Sequence, residues 1–308
     1  MLDPEIQPIL DMMEAAPGPP AHLVPIEQAR AAHDRESALL GGPGEEVAEV
    51  RHISVPGPGG PIPVRVYRPA GEGPLPVVAY AHGGGWAVGS LDGFDPVSRA
   101  LANASGAVIA SIGYRLAPEH PFPAGLEDVR AAVRWLAENA RELDGDSARV
   151  AIAGDSAGGN LATVTARRLR DEGGSPLRYQ ALVYPVCDSA LNTPSYRVSG
   201  AGFGLSALSM KRYWELYLDG ADARSPDASP LQAGDLSGLP PTFVLTVRDD
   251  VLRDEGEAYA RALEAAGVPV TLRRYDGAVH GFFRWIAKSR LARRAVADVG
   301  AALRAGLA

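Results

Sequence analysis

The 308-residue chain predicts a fold of the α/β class, a mostly parallel sheet with helices on both faces. Three observations carry that prediction. From about residue 60 onward, short apolar runs rich in β-branched residues alternate with stretches whose apolar residues recur at helical spacing. Hydrophobic residues make up 46% of the chain and charged residues 22%, which excludes a disordered or fibrous protein. No internal repeat or low-complexity block breaks the alternation, and α/β enzymes of this length commonly form one unit.

The elements follow in order. Pro/Gly clusters at Pro17 to Pro20, Gly41 to Gly44 and Pro56 to Pro61 punctuate the first quarter, so regular alternation is expected only after them. Ile62 to Tyr67 alternates as a half-exposed strand does, whereas Pro76 to Ala81 and Ala107 to Ile112 are short, predominantly apolar runs, as expected for strands buried on both faces. Leu126, Val129, Val133 and Leu136 share one helical face, and that helix should end near Asp144-Gly145. Then come a strand at Val150 to Ala153, a helix from Ala157 to Arg170 and strands at Gln180 to Tyr184 and Thr242 to Val247. A helix from Glu255 to Ala266, a strand from Val268 to Arg274 and a C-terminal helix complete the series.

Residues 188–238 interrupt the pattern with one helical piece, Met210 to Leu218, among Ser, Gly, Pro and Asp. A structureless loop that long is uncommon inside a compact domain, so this insertion is expected to pack with residues 1–50 as a cap or lid above the sheet. Residues 51–187 and 239–308 would then form the main domain.

Composition excludes several functions. The net charge is −7 and the 30 basic residues are scattered, so no footprint for nucleic acid is present. The single cysteine, Cys187, cannot form an internal disulfide; it follows the apolar run Ala181 to Val186 and reads as a small buried hydrophobe in a reducing compartment. The first 20 residues carry acids and no Lys or Arg, unlike a signal peptide, and no window supplies the roughly 20 apolar residues of a membrane span, so a cytoplasmic protein is expected. The six histidines lie far apart with no H-E-x-x-H helix, and the only lysines, Lys211 and Lys288, lie in no phosphate-binding loop, so neither a metal nor a nucleotide is expected.

The chemistry-bearing signal is Gly154-Asp155-Ser156-Ala157-Gly158-Gly159, between an apolar strand and a helix. That context defines the nucleophile elbow of the α/β-hydrolase fold, in which glycines let strand and helix approach while the serine hydroxyl projects outward. A serine hydroxyl needs an imidazole to take its proton and a carboxylate to hold the imidazole. In this fold the order is Ser, acid, His, and His280 is the only histidine beyond Ser156. The acid should lie in the loop after Thr242 to Val247, where Asp249 and Asp250 compete and Asp254 reads as a first-turn residue of the next helix. His82-Gly83-Gly84-Gly85-Trp86 follows an earlier strand and offers bare backbone N–H groups for an oxyanion, together with the N–H of Ala157. His82 reads as a hydrogen-bonding residue of that loop, Asp155 and Asn160 as supports of the elbow, and the three-proline stretch Tyr114 to Ala124 as a brace. Trp86 is a candidate substrate-pocket residue, with Phe203, Tyr213 and Trp214 as further aromatics of the insertion.

Taken together, HGGGW at 82–86, YRLAPEHPFPA at 114–124, GDSAGG at 154–159, DVLRDEG at 250–256 and HGF at 280–282 resemble the hormone-sensitive-lipase-like family of bacterial esterases over nearly all of the chain after residue 75. The resemblance implies that the acid is the first Asp of the D-P/V-L-R-D-E-G motif, Asp250, with Val251 in place of the commoner proline. It implies Gly84 and Gly85 as the oxyanion donors beside Ala157, a helical cap, short- to medium-chain ester substrates, no cofactor and a homodimer. Fold and triad do not name the leaving group, so amidase, carbamate hydrolase and acyltransferase are the alternatives. A non-catalytic ligand-binding relative is the other, and it is disfavoured because neither the serine nor the histidine is missing.

Overall fold

The computed structural model describes residues 1–15 and 21–308, so the Pro17 to Pro20 cluster lies outside the described residues. Among them, eight strands form one sheet: β1 (Glu49–Gly57), β2 (Gly60–Arg68), β3 (Leu75–Ala81), β4 (Val108–Ile112), β5 (Gly145–Asp155), β6 (Leu177–Val183), β7 (Thr242–Asp249) and β8 (Val270–Val279). Their order is β1-β2-β4-β3-β5-β6-β7-β8. β1 and β2 form an antiparallel hairpin, and β2 runs antiparallel to β4. Every other neighbouring pair is parallel.

Helices cover both faces: α1 (Gln7–Glu14), α2 (Ile26–Gly41), α3 (Asp95–Ser105), α4 (Ala124–Glu138), α5 (Ala157–Asp171), α6 (Pro194–Val198), α7 (Ala207–Leu218), α8 (Arg253–Ala265) and α9 (Arg290–Gly306). The two-residue period of the strands sorts the core into two layers. Val77, Ala79 and Ala81 of β3 pack with Val129 of α4, Leu161 of α5 and Leu263 of α8. Val78 and Tyr80 pack on the other face, with Leu101 of α3 and Val299 and Leu303 of α9. A sheet buried on both faces explains why its central strands read as unbroken apolar runs.

Besides α1, α2 and α6, which the sequence reading does not place individually, β1 and α3 escape it. β1 is an edge strand in which only Val55 is buried, so it shows little apolar patterning, and Pro56-Gly57 closes it. α3 is built from Ala, Ser and Asn around Val97 and Leu101, too few large apolar residues to declare a period. β5 and β8 run longer than their apolar cores, because ladder pairing carries Gly145 opposite Leu75, Asp155 opposite Val183 and Val279 opposite Asp249. The predicted helix at Met210 is α7, joined to the chain near residue 23 by Arg212, which donates to the carbonyls of His22 and Val24 at 2.8 and 2.9 Å. None of the helices described is long and apolar enough to cross a membrane.

Candidate active site

The site lies at the carboxyl ends of β3, β5, β6, β7 and β8. Ser156 stands between the end of β5 and the start of α5 with φ +55° and ψ −120°, a strained conformation held by its surroundings. The glycine beside it is needed for close approach: a Cβ on Gly158 would lie 2.0 Å from the carbonyl oxygen of Ala81. Ser156 N donates to Val183 O at 2.8 Å, so β6 also grips the turn. The serine is 6% exposed.

His280 follows β8 directly, and its Nε2 is 2.9 Å from Ser156 Oγ. Its Nδ1 is 2.8 Å from Asp250 Oδ2. Since a carboxylate only accepts, Nδ1 carries the proton and Nε2 is left to accept from the serine hydroxyl. Asp250 is 1% exposed, and its other oxygen accepts from Leu252 N at 2.9 Å. Asp249 instead accepts from the guanidinium of Arg248 at 2.8 and 3.1 Å. The two adjacent carboxylates therefore part company: one meets the imidazole, the other an arginine. Asp254, in the first turn of α8, accepts from Ser195 N at 2.7 Å and anchors the start of α6.

The glycine loop after β3 is pinned from below. Buried Asp155 accepts from Gly83 N and from Tyr80 OH, both at 2.8 Å. Burial holds its carboxyl above the usual range against those bonds. His82 donates from Nδ1 to Gly83 O at 2.8 Å and stacks on Tyr114 with ring centroids 4.4 Å apart. Burial lowers its pKa to about 4, so it stays neutral through the physiological range. Tyr114 OH donates to His82 O at 2.8 Å, and Ala117 N to Trp86 O at 2.9 Å, so the three-proline stretch braces this loop from outside. Among the described residues, the N–H groups of Gly84 and Gly85 find no protein acceptor. Ala157 opens α5, in the first turn where amides lack an intrahelical acceptor and the helix dipole is positive. Three N–H groups are thus left for an anion beside Ser156.

A cavity of about 190 Å³ opens on Ser156 and His280. Gly84 and Gly85 form part of its floor; Leu205, Met210 and Tyr213 of the insertion and Met13, His33 and Glu36 of the first 50 residues complete its wall. Trp86 is not among the lining residues, contrary to the sequence-based expectation. It takes φ +57°, is 1% exposed and stacks on Tyr217 with centroids 4.2 Å apart and planes 5° from parallel, beside Trp214. Tyr213, one turn from Tyr217 on α7, is the aromatic of the insertion that reaches the cavity, which Trp285 lines as well.

The sequence reading also misses Glu255. It is fully buried and accepts from the amides of Cys187 and Asp188 at 2.8 and 3.3 Å, which ties the loop after β6 to α8. Burial pushes its carboxyl well above the usual range. The same burial raises the Cys187 thiol, which makes it an unreactive core residue. Asn160 holds the insertion to the elbow, donating to Val186 O at 3.1 Å and Ala228 O at 2.8 Å.

A serine on a strand-to-helix elbow over a mostly parallel sheet, with a histidine and an aspartate from later strands, defines an α/β hydrolase. The chain belongs to that family: the family profile described as alpha/beta hydrolase fold matches residues 78–284. It is similar to the carboxylesterase NlhH of Mycobacterium tuberculosis, 48% identical over 226 residues that cover 72% of this chain and 71% of that protein. Among solved structures, it resembles an ester-hydrolase from the metagenome of Lake Arreo, complexed with a derivative of bipyridine phosphonate, at a TM-score of 0.95 with 41% identity over 99% of both chains. A hyperthermophilic esterase from the archaeon Pyrobaculum calidifontis matches at a TM-score of 0.94 with 41% identity, over 99% of this chain and 98% of that one.

Proposed function

We propose that this protein hydrolyses carboxylic esters of short to medium acyl chains, with Ser156 as nucleophile, His280 as general base and acid, and Asp250 as its carboxylate partner. One observation carries the reading: the continuous relay from Asp250 Oδ2 to His280 to Ser156 Oγ, at 2.8 and 2.9 Å. Ser156 attacks the ester carbonyl as its proton passes to His280 Nε2, and the oxyanion is held by the amides of Gly84, Gly85 and Ala157. His280 then protonates the departing alcohol, and a water activated by the same imidazole releases the acid from the acyl-enzyme. Asp250 stays ionised and orients the imidazole throughout.

The motifs quoted above support membership of the hormone-sensitive-lipase-like branch. Residues 1–50 and 188–238 act as one cap over the site: the two segments are bonded through Arg212 and contribute to the same cavity wall. Among the described residues no strand pairs with the outer edge of β8, where Thr271 to Arg274 are exposed, and this supports pairing of two copies as a homodimer. A cytoplasmic location rests on the lone buried Cys187.

A series of p-nitrophenyl esters from acetate to palmitate, run beside a matched anilide, tests the function. A cavity below the roughly 300 Å³ of ordinary ligand pockets favours acetate to butyrate, with little turnover of palmitate. Better cleavage of the anilide than of the ester would replace esterase by amidase.

A further inference from the structure

Tyr184 directly follows β6 with φ +37°, in the left-handed region that bulky residues avoid. The conformation is held from both sides. Its own amide donates to Leu245 O at 2.6 Å, while its neighbours bind the backbone of the nucleophile, Val183 O accepting from Ser156 N at 2.8 Å and Val186 N donating to Ser156 O at 3.2 Å. The side chain that this turn presents lies against His280, with ring centroids 4.5 Å apart and planes inclined by 52°. It is 1% exposed, and among the described residues its hydroxyl has no partner in good hydrogen-bonding geometry, with only the backbone of Phe283 close to it.

We propose that Tyr184 is a positioning residue for His280, whose ring stabilises the imidazolium formed when Ser156 gives up its proton. The inference rests on the triad reading above. A cation over the face of an aromatic ring, within about 6 Å of its centroid, is attracted by the ring's quadrupole, and more so when water is excluded. The imidazole becomes a cation only as the proton leaves Ser156 Oγ for Nε2, so the attraction is stronger in the transition state than in the ground state and lowers the barrier. The other polar groups around the imidazole have their own partners. Asp250 is bonded to Nδ1 and Ser156 to Nε2. Asp155 is bonded to Tyr80 and Gly83, and Arg284 to Ser37 and Glu36. A change confined to the Tyr184 ring leaves all of those contacts in place.

The test compares three variants with the wild type on p-nitrophenyl butyrate: Tyr184→Phe, Tyr184→pentafluoro-Phe introduced by nonsense suppression, and Tyr184→Leu. The fluorinated ring inverts the quadrupole at nearly constant volume. It is expected to lower kcat about 3- to 30-fold with little change in KM, and to move the acid limb of kcat/KM to lower pH by about half a unit or more. The sign follows because losing the ring's attraction disfavours the protonated imidazole. Tyr184→Leu behaves alike, and Tyr184→Phe rescues both rate and limb. Wild-type kcat and acid limb in the fluorinated variant overturn the proposal, as does a Tyr184→Phe variant as impaired as the fluorinated one. Should Tyr184→Leu fail to fold, the comparison of the two near-isosteric rings decides alone. Ser156→Ala run in parallel separates the two readings: activity surviving there defeats the triad, whereas an inactive Ser156→Ala beside an unperturbed fluorinated variant defeats only the role of Tyr184.

Discussion

At the residue scale, the site is decided by which side chains can turn towards one imidazole. Asp249 and Asp250 are adjacent and chemically identical, yet only Asp250 follows the end of β7 in a position that meets His280. Asp250→Asn should therefore lower kcat by about 10⁴, through loss of the correct tautomer, while Asp249→Asn changes it less than about threefold. Steady-state kinetics with one nitrophenyl ester checks both; equal losses would mean that the relay is misassigned. Ser156 and His280 were legible because their signals are local, a glycine-flanked serine and one remaining histidine, whereas Asp250 was separated from Asp249 only by the family resemblance. Trp86 was not. Its side-chain direction depends on a positive φ at the end of a glycine run, which turns it into the aromatic cluster with Trp214 and Tyr217 rather than toward the cavity. Glu255 was missed for another reason: a carboxyl in a charged stretch reads as a solvated surface group, and only the fold reveals the two amides of the loop after β6 that it satisfies.

At the element scale, the chain's most sensitive junction is where α5 crosses the end of β3. The Cβ of Gly158→Ala would meet the backbone carbonyls of Ala81 and His82 at 2.0 and 2.6 Å, groups that cannot swing aside as a side chain could. The variant should lose about 1–3 kcal/mol or more, a fall in Tm of several degrees. Gly234→Ala, whose Cβ meets nothing within 4 Å, should stay within about 0.5 kcal/mol of wild type by the same thermal melt. Indistinguishable melting of the two variants would show that the elbow is looser than its geometry implies. The buried parallel strands and helices α4, α5, α8 and α9 were read correctly because burial against the sheet writes itself into sequence. β1 and α3 were not, since an exposed edge strand and a small-residue helix leave weak periodicity. Their places are fixed by partners distant in sequence: β2 pairs with β1, and α9 packs on α3.

At the scale of the whole molecule, one sheet gathers groups from five strand ends, and two segments far apart in the chain shape the cavity over them. His280 lies 124 residues from the serine it touches, and the sheet, by bringing the carboxyl ends of β5 and β8 to the same edge, sets them 2.9 Å apart. The small cavity volume is likewise a property of the assembled chain, since Met13 and Tyr213 line it from opposite halves of the sequence. The most direct measurement of the central claim is inactivation by a fluorophosphonate with peptide mapping by mass spectrometry. The account predicts one adduct per chain, on Ser156, with esterase activity lost in proportion to its formation and no labelling of Ser156→Ala. Full inactivation with Ser156 unmodified, or an adduct on a different serine that tracks the loss, would contradict it.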